Sequence, residues 1–205
     1  MTAATHPPQH GEQATHDDPS GRIHLIVLFG GQSAEHDVSC TTAAHVLRAA
    51  DPAKYDITPI GIGRDGRWSL ASAARAALAQ GPHTLPGHLE AYGDIIEPTV
   101  AITPTTAGLT VVVPLLHGPL GEDGTVQGML ELAGLPYVGS GVLGSALAMD
   151  KAMAKEVAAA HGIPQARHIS VRADQCGPGT PAHLANSLGL PLLSGRRRAG
   201  WAEGM

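Results

Sequence analysis

Aromatic side chains are almost missing from this chain: two tryptophans, three tyrosines and one phenylalanine make up 3% of its 205 residues. Its core must therefore rest on Val, Leu, Ile and Ala. Cysteine is scarce too. Cys40 and Cys176 make neither a disulfide framework nor a CxxC metal site, which fits a reducing, cytoplasmic setting. Basic charge is thin: 13 Lys and Arg against 18 Asp and Glu give a net charge of -5 and no positive field for nucleic acid. No stretch approaches about 18 uninterrupted apolar residues, and no charged-then-apolar leader opens the chain, so a soluble protein without membrane attachment is expected. What is present is an ordinary globular composition, 43% hydrophobic, in a length that suits one domain plus part of another.

Residues 1–20 lack apolar periodicity and are rich in Pro, His, Gln and Asp, so they read as a disordered tail. His6, His10 and His16 in that tail have nothing beside them to complete a metal site and read as solvated. Order is expected from Ile23 to Phe29, a nearly continuous apolar run of the kind found in buried parallel strands. A helix over about Cys40–Ala50 follows, then a strand from Tyr55 to Ile62 and a short extra one at Arg67–Leu70. Ala71–Ala79 reads as an alanine-rich helix with Ser69 or Ser72 as its cap. Residues 81–98 read as a loop or short irregular pieces. Leu109–Leu116 is the next buried strand. Beyond it, Val126, Met129, Leu130 and Ala133 recur at i, i+3, i+4 and i+7, a helix signature, and Pro136-Tyr137-Val138 reads as a short strand. After a boundary near Gly139–Lys151 the pattern predicts a helix at Ala152–His161 stopped by Gly162 and Pro164. A strand at Arg167–Val171, a helix at Pro181–Ser187 and the start of a strand at Leu190–Leu193 follow. Strands alternating with helices make an α/β domain, whose sites form at the carboxyl ends of the strands.

The candidate chemistry sits at those ends. Gly30-Gly31 follows the first strand, but position 32 is Gln and the third glycine is missing, so the dinucleotide fingerprint is incomplete and a nicotinamide cofactor is not expected. The glycines suit a tight turn that brings Glu35 and a helix N-terminus to a small ligand, although Glu35 alone reads more readily as a solvated loop acid. His117 ends the second long apolar run. Taken singly it is more often a structural histidine than a catalytic one. The Gly121-Glu122-Asp123-Gly124 loop supplies a carboxylate, Glu122, that can orient the imidazole and hold it charged, while Asp123 suits the N-cap of the next helix. Lys151 opens a helix, where it opposes the macrodipole. That placement suits a phosphate contact or an ordinary surface lysine.

Together these residues resemble the D-alanine–D-alanine ligases of the ATP-grasp superfamily. Three ordered segments carry the resemblance: GGQSAEHDVS at 30–39, HGPLGEDGTVQGMLELAGLPYVGSG at 117–141 and SALAMDK at 145–151. The resemblance implies a Rossmann-like (pre-ATP-grasp) parallel-sheet substrate domain over 21–145, followed by the opening of an α+β ATP-grasp domain over 146–193. It implies an enzyme that phosphorylates the carboxylate of one D-alanine with ATP and lets the amine of a second attack, yielding the dipeptide used in peptidoglycan synthesis. On that pattern Glu35 holds the first D-alanine's ammonium, His117 lies near its carboxylate with Glu122 as partner, Val38 and Ser39 sit beside the pocket, and Lys151 contacts the ATP phosphates. Mg2+ (or Mn2+) and a homodimer formed through the first domain are implied as well.

The resemblance stops at about Leu192. Where a Lys-Pro pair and a serine- and glycine-rich phosphate loop are expected, the chain reads Leu193-Ser194-Gly195-Arg196-Arg197-Arg198 and runs on to Met205. Three arginines there are weak evidence of a nucleic-acid patch. The expectation is that 194–205 is a non-family tail from a shifted reading frame or misassigned gene end. The metal ligands and the second half of the ATP site would then lie outside this chain, leaving it inactive alone. Two other readings stay open: a non-catalytic binding or dimerisation module on the same α/β domain, and an ATP-grasp ligase with another acceptor such as D-lactate.

Overall fold

The computed structural model describes residues 21–104 and 108–189. The expected tails at 1–20 and 194–205, and the expected strand at Leu190–Leu193, lie outside the described residues. The chain divides into two compact units between Gly141 and Val142.

The first unit is built on a five-stranded sheet: β1 (Ile23–Gly30), β2 (Tyr55–Ile62), β3 (Trp68–Leu70), β4 (Asp94–Ile95) and β5 (Thr110–Pro114), in the order β4-β3-β2-β1-β5. β1 is central and pairs in parallel with β2 on one side and β5 on the other. Alternate side chains of β1 leave opposite faces, as the pleat requires. Ile26 and Leu28 join Ile60, Ile62, Val112, Leu116, Val126 and Leu130 in one buried cluster. Val27 and Phe29 join Cys40, Ala43, Ala44, Leu47 and Ala74 in the other. Helices α1 (His36–Ala49) and α2 (Ser72–Gln80) cover the second face, and α3 (Pro98–Ala101) and α4 (Thr125–Leu132) the first. Both faces are thus buried, which is why β1 reads as an unbroken apolar run. Fully burying Leu47 alone stabilises the fold by roughly 1.5–3 kcal/mol.

The parallel core of β2, β1 and β5 is the one the resemblance implies, and β3 and β4 extend it antiparallel. Between β2 and β3 the chain turns over Gly63–Gly66, closed by hydrogen bonds from Gly66 N to Gly63 O and from Gly63 N to Arg67 O. So short a turn permits only an antiparallel return, and β4 pairs antiparallel with β3 in turn. Other details differ from expectation. α1 begins at His36, four residues early, because His36 and Ser39 lie on the same buried stripe as Cys40, Ala43, Ala44 and Leu47. Neither Ser69 nor Ser72 caps α2, whose N-cap is Ala71; the Ser69 hydroxyl donates instead to Ala91 O and that of Ser72 to Leu70 O. Asp123 is not the N-cap of α4; Gly124 is, in the left-handed region at φ 94°. Ala133 lies past the end of α4 and is exposed. Pro136–Val138 makes only an isolated parallel bridge, Val112 to Tyr137.

The second unit holds α5 (Val142–Met149), α6 (Lys151–Ala160) and α7 (Thr180–Leu188). α5 packs on α6. α6 starts at Asp150, whose side chain accepts the N–H groups of Ala152 and Met153. The strand expected at Arg167–Val171 does not form: among the described residues no strand lies beside it, and an extended segment without a ladder is not stabilised as a strand. Among the described residues, no helix is long and apolar enough to cross a membrane.

Candidate functional site

The carboxyl ends of β1 and β5 lie side by side, and the ladder continues one step beyond the strand where Leu115 N donates to Leu28 O. Because β2 lies on one side of β1 and β5 on the other, the chain order reverses here. A crevice opens at such a switch point in doubly wound sheets. Two loops rise from it, 31–35 after β1 and 115–124 after β5.

The first loop leaves β1 through Gly30, at φ 92°, where any Cβ would run into the Ile62 carbonyl. Only glycine fits there. Ser33 Oγ accepts the Glu35 N–H at 3.1 Å, and Glu35 then serves as N-cap residue of α1 without a side-chain capping bond. Its carboxylate is exposed and has no hydrogen-bond or ion-pair partner among the described residues. His36 is buried, and its Nδ1 lies 2.8 Å from Gly31 O; a carbonyl only accepts, so Nδ1 carries the proton. Sequence reasoning passed over His36, although its spacing to Ser39, Cys40 and Ala43 marks it as inward-facing.

Ser39 has a structural task that the sequence did not announce. Fully buried, its Oγ accepts the Gly30 N–H at 2.7 Å and donates to Leu115 O at 2.6 Å, so one hydroxyl ties the end of β1 to the segment that follows β5. Val38, one residue earlier, is 55% exposed on the outer side of α1. Asp37 pairs with Arg64 at 2.8 Å and faces His88 Nε2 at 3.8 Å, so the β2–β3 turn leans on the start of α1.

The second loop is cross-braced. Glu122 Oε2 accepts the Gly118 N–H at 2.8 Å while Oε1 lies 3.5 Å from His117 Nδ1. Asp123 Oδ2 accepts the Leu120 N–H and Oδ1 that of Thr125. Partial burial pushes the Asp123 carboxyl up, but these N–H donors outweigh it and hold it below its usual value. They also hold Leu120 at φ 69°, a left-handed conformation that costs a non-glycine residue about 1–2 kcal/mol. From α4, Gln127 Nε2 donates to Gly121 O at 2.9 Å. His117 Nε2 is buried and has no partner among the described residues.

The two loops meet at Gly118. The position a Cβ would occupy there lies 3.2 Å from Glu35 Oε2 and 3.1 Å from Ser33 Cβ. The Glu35 carboxylate therefore rests against the residue that follows His117. Lys151 is in the second unit, exposed, as the first residue of α6. Among the described residues, no group of three or more His, Cys, Asp or Glu side chains is gathered as a metal ion would need.

Residues 24–140 match the model of the D-ala D-ala ligase N-terminus, which covers both loops and all of the sheet except Ile23. The chain belongs to the D-alanine–D-alanine ligase family. It is 42% identical over 203 residues to a D-alanine–D-alanine ligase of Nocardia farcinica, an alignment covering 91% of this chain and 54% of that one. With the enzyme of Mycolicibacterium smegmatis it shares 38% identity, covering 100% of this chain and 55% of the relative. The chain thus spans about half the length of the curated ligases it matches. The D-alanine–D-alanine ligase of Coxiella burnetii superposes with a TM-score of 0.63 at 34% identity, covering 82% of this chain and 49% of that one. The D-Ala:D-Ser ligase VanG of Enterococcus faecalis does so with 0.54 at 31%, covering 80% and 48%.

Proposed function

We propose that the first unit is the amino-acid-binding half of an ATP-dependent ligase that joins two D-alanines for peptidoglycan synthesis in the cytoplasm. The observation that carries this reading is the Glu35 carboxylate lying against Gly118, next to His117. A free amino acid is a zwitterion and needs one acceptor for its ammonium and one donor for its carboxylate. Glu35 is the ammonium acceptor, unpaired and exposed at the tip of its loop. His117 is the carboxylate donor: in the doubly protonated ring Nε2–H meets the substrate while Nδ1–H faces Glu122. Charge-assisted pairs of this kind are worth more than neutral ones and fix the substrate's orientation as well as its affinity. Val38 borders the same loop.

Lys151, at the start of α6, is the proposed contact to the ATP phosphates, whose transfer calls for fixed positive charge. The described residues do not assemble a site for Mg2+, and no step is routed through one. A homodimer through the first unit remains part of the reading. The acceptor is D-alanine on the strength of the relatives' names; the likeness to a D-Ala:D-Ser ligase is the reason to compare acceptors directly.

The reading is tested by titrating D-alanine and L-alanine separately into the protein and following backbone amide shifts. D-alanine should perturb the amides of Ser33–Glu35 and His117–Glu122, L-alanine should bind more weakly, and Glu35→Gln should weaken D-alanine by about tenfold or more. Equal binding of the two enantiomers, or shifts confined to residues away from both loops, defeats it.

A further inference from the structure

We propose that Gln127 is a positioning residue: it sets the direction of Glu122 and, through it, the tautomer of His117. Gln127 is buried, 6% exposed, on the first turn of α4. Since Gly121 O can only accept, the amide's NH2 end must face it, which settles the orientation that the side chain's shape leaves ambiguous. Its Oε1 is then buried with no donor among the described residues.

That balance is informative. One neutral hydrogen bond is made and one buried acceptor is left unmet, and an unmet buried acceptor costs as much as or more than a neutral bond contributes. An apolar side chain of the same length would exchange the unmet Oε1 for an unmet Gly121 O, so stability hardly separates the two and does not account for an amide here. Position does. The Gln127 bond fixes the peptide of Gly121, and the next residue is Glu122. Its two oxygens divide between the Gly118 N–H and the face of His117 Nδ1. At 3.5 Å the carboxylate is only just within reach of Nδ1, so a small rotation of the Gly121–Glu122 peptide removes it. With Glu122 in place Nδ1 is the ring nitrogen that keeps its proton, so the unpartnered Nε2 is the one that takes the second proton and turns donor when a carboxylate arrives. Burial of a polar group at a net cost is what a site retained for orientation looks like.

The inference deepens the proposed reading, which is what makes the His117 tautomer consequential. Its test reads the ring directly. Long-range proton–nitrogen correlation spectra at alkaline pH report which nitrogen of His117 is protonated, the His117 signals being identified by their loss in His117→Asn. Gln127→Met, close in length and without the amide, exchanges one unmet acceptor for another and should move the thermal midpoint little. It should also move His117 from the Nδ1–H pattern to a mixture and weaken D-alanine by roughly three- to tenfold. In a Glu122→Gln background the same substitution should produce no further movement of the ring signals. An unmoved His117 spectrum in Gln127→Met overturns the proposal, as does an equal movement with and without Glu122. Should the Met variant fail to fold, Gln127→Asn, which keeps the amide but shortens its reach, decides by the same spectrum. The ring measurement uses no substrate, so absence of D-alanine binding by the wild-type protein defeats the proposed function and leaves this test standing.

Discussion

Ser39 has one donor and two lone pairs, and the fold uses both kinds within a single buried hydroxyl. Replacing it with alanine leaves the Gly30 N–H and the Leu115 carbonyl facing each other across a space too dry to supply substitutes. Losing a buried partner in this way costs about 1–3 kcal/mol per group left unmet, while the deleted oxygen leaves only a small void. Ser39→Ala should therefore lose roughly 1–3 kcal/mol in urea denaturation, and D-alanine affinity should fall with it because the tie joins the bases of both loops. A loss under about 0.5 kcal/mol, the range of an ordinary surface substitution, would show that the tie is dispensable. Other residues at this scale differ in how visible they were beforehand. Glu35 and His117 stand out because a polar residue at the end of an apolar run is conspicuous. The hydroxyl of Ser39 does not, since nothing in HDVSC says that its partners are 9 and 76 residues away. Gln127 carried a fainter signal, a polar residue between Val126 and Leu130 on an otherwise inward-facing stripe.

At the scale of elements, legibility followed periodicity. β1, β2, β5 and α4 announce themselves through runs or stripes long enough to outweigh local exceptions. α5 does not, because VLGSALAM is apolar nearly all round and offers no stripe to read. β4 is two residues long and exists only because β3 presents an edge to it. The segment Arg167–Val171 has strand-like composition, yet composition cannot supply a pairing partner. The three parallel strands share a further feature, a polar rung through a buried position. His24 on β1 has Nε2 at 2.9 Å from Thr58 Oγ1 on β2 and Nδ1 at 3.3 Å from Thr110 Oγ1 on β5. Burial lowers the His24 pKa, and the nearby Asp56 carboxylate offsets this only in part. The folded state therefore favours the neutral ring more than the unfolded chain does. The stability this contributes is fully present above the ordinary histidine value of about 6.5 and is lost as pH falls through the depressed folded value. Denaturation midpoints should accordingly drop between roughly pH 7 and pH 5, and His24→Gln should flatten that slope; an unchanged slope in the variant would assign the acid sensitivity to other groups.

At the scale of the whole molecule the two units differ in what they bury. The first contains both hydrophobic clusters, one on each face of the sheet. In the second, α6 and α7 have no buried residue, and among the described residues whose burial is recorded Ser145 alone is buried. Apolar burial is what offsets the entropy of ordering a chain, at roughly 25 cal/mol for each Å2 removed from water against about 1–2 kcal/mol per residue fixed. Three short helices with no buried apolar side chain recorded among the described residues have little with which to meet that cost, and segments of this kind open locally long before the global transition. Limited proteolysis should therefore cut first beyond the division at Gly141–Val142 and leave a resistant fragment whose end falls within Gly139–Lys151. The fragment should retain the amide shifts caused by D-alanine, since Glu35, His117 and Glu122 all lie within it. Protection extending evenly to Leu188 would mean that the second unit draws its stability from something other than its own core. Loss of the D-alanine shifts on trimming would mean that the first unit does not hold the amino acid by itself.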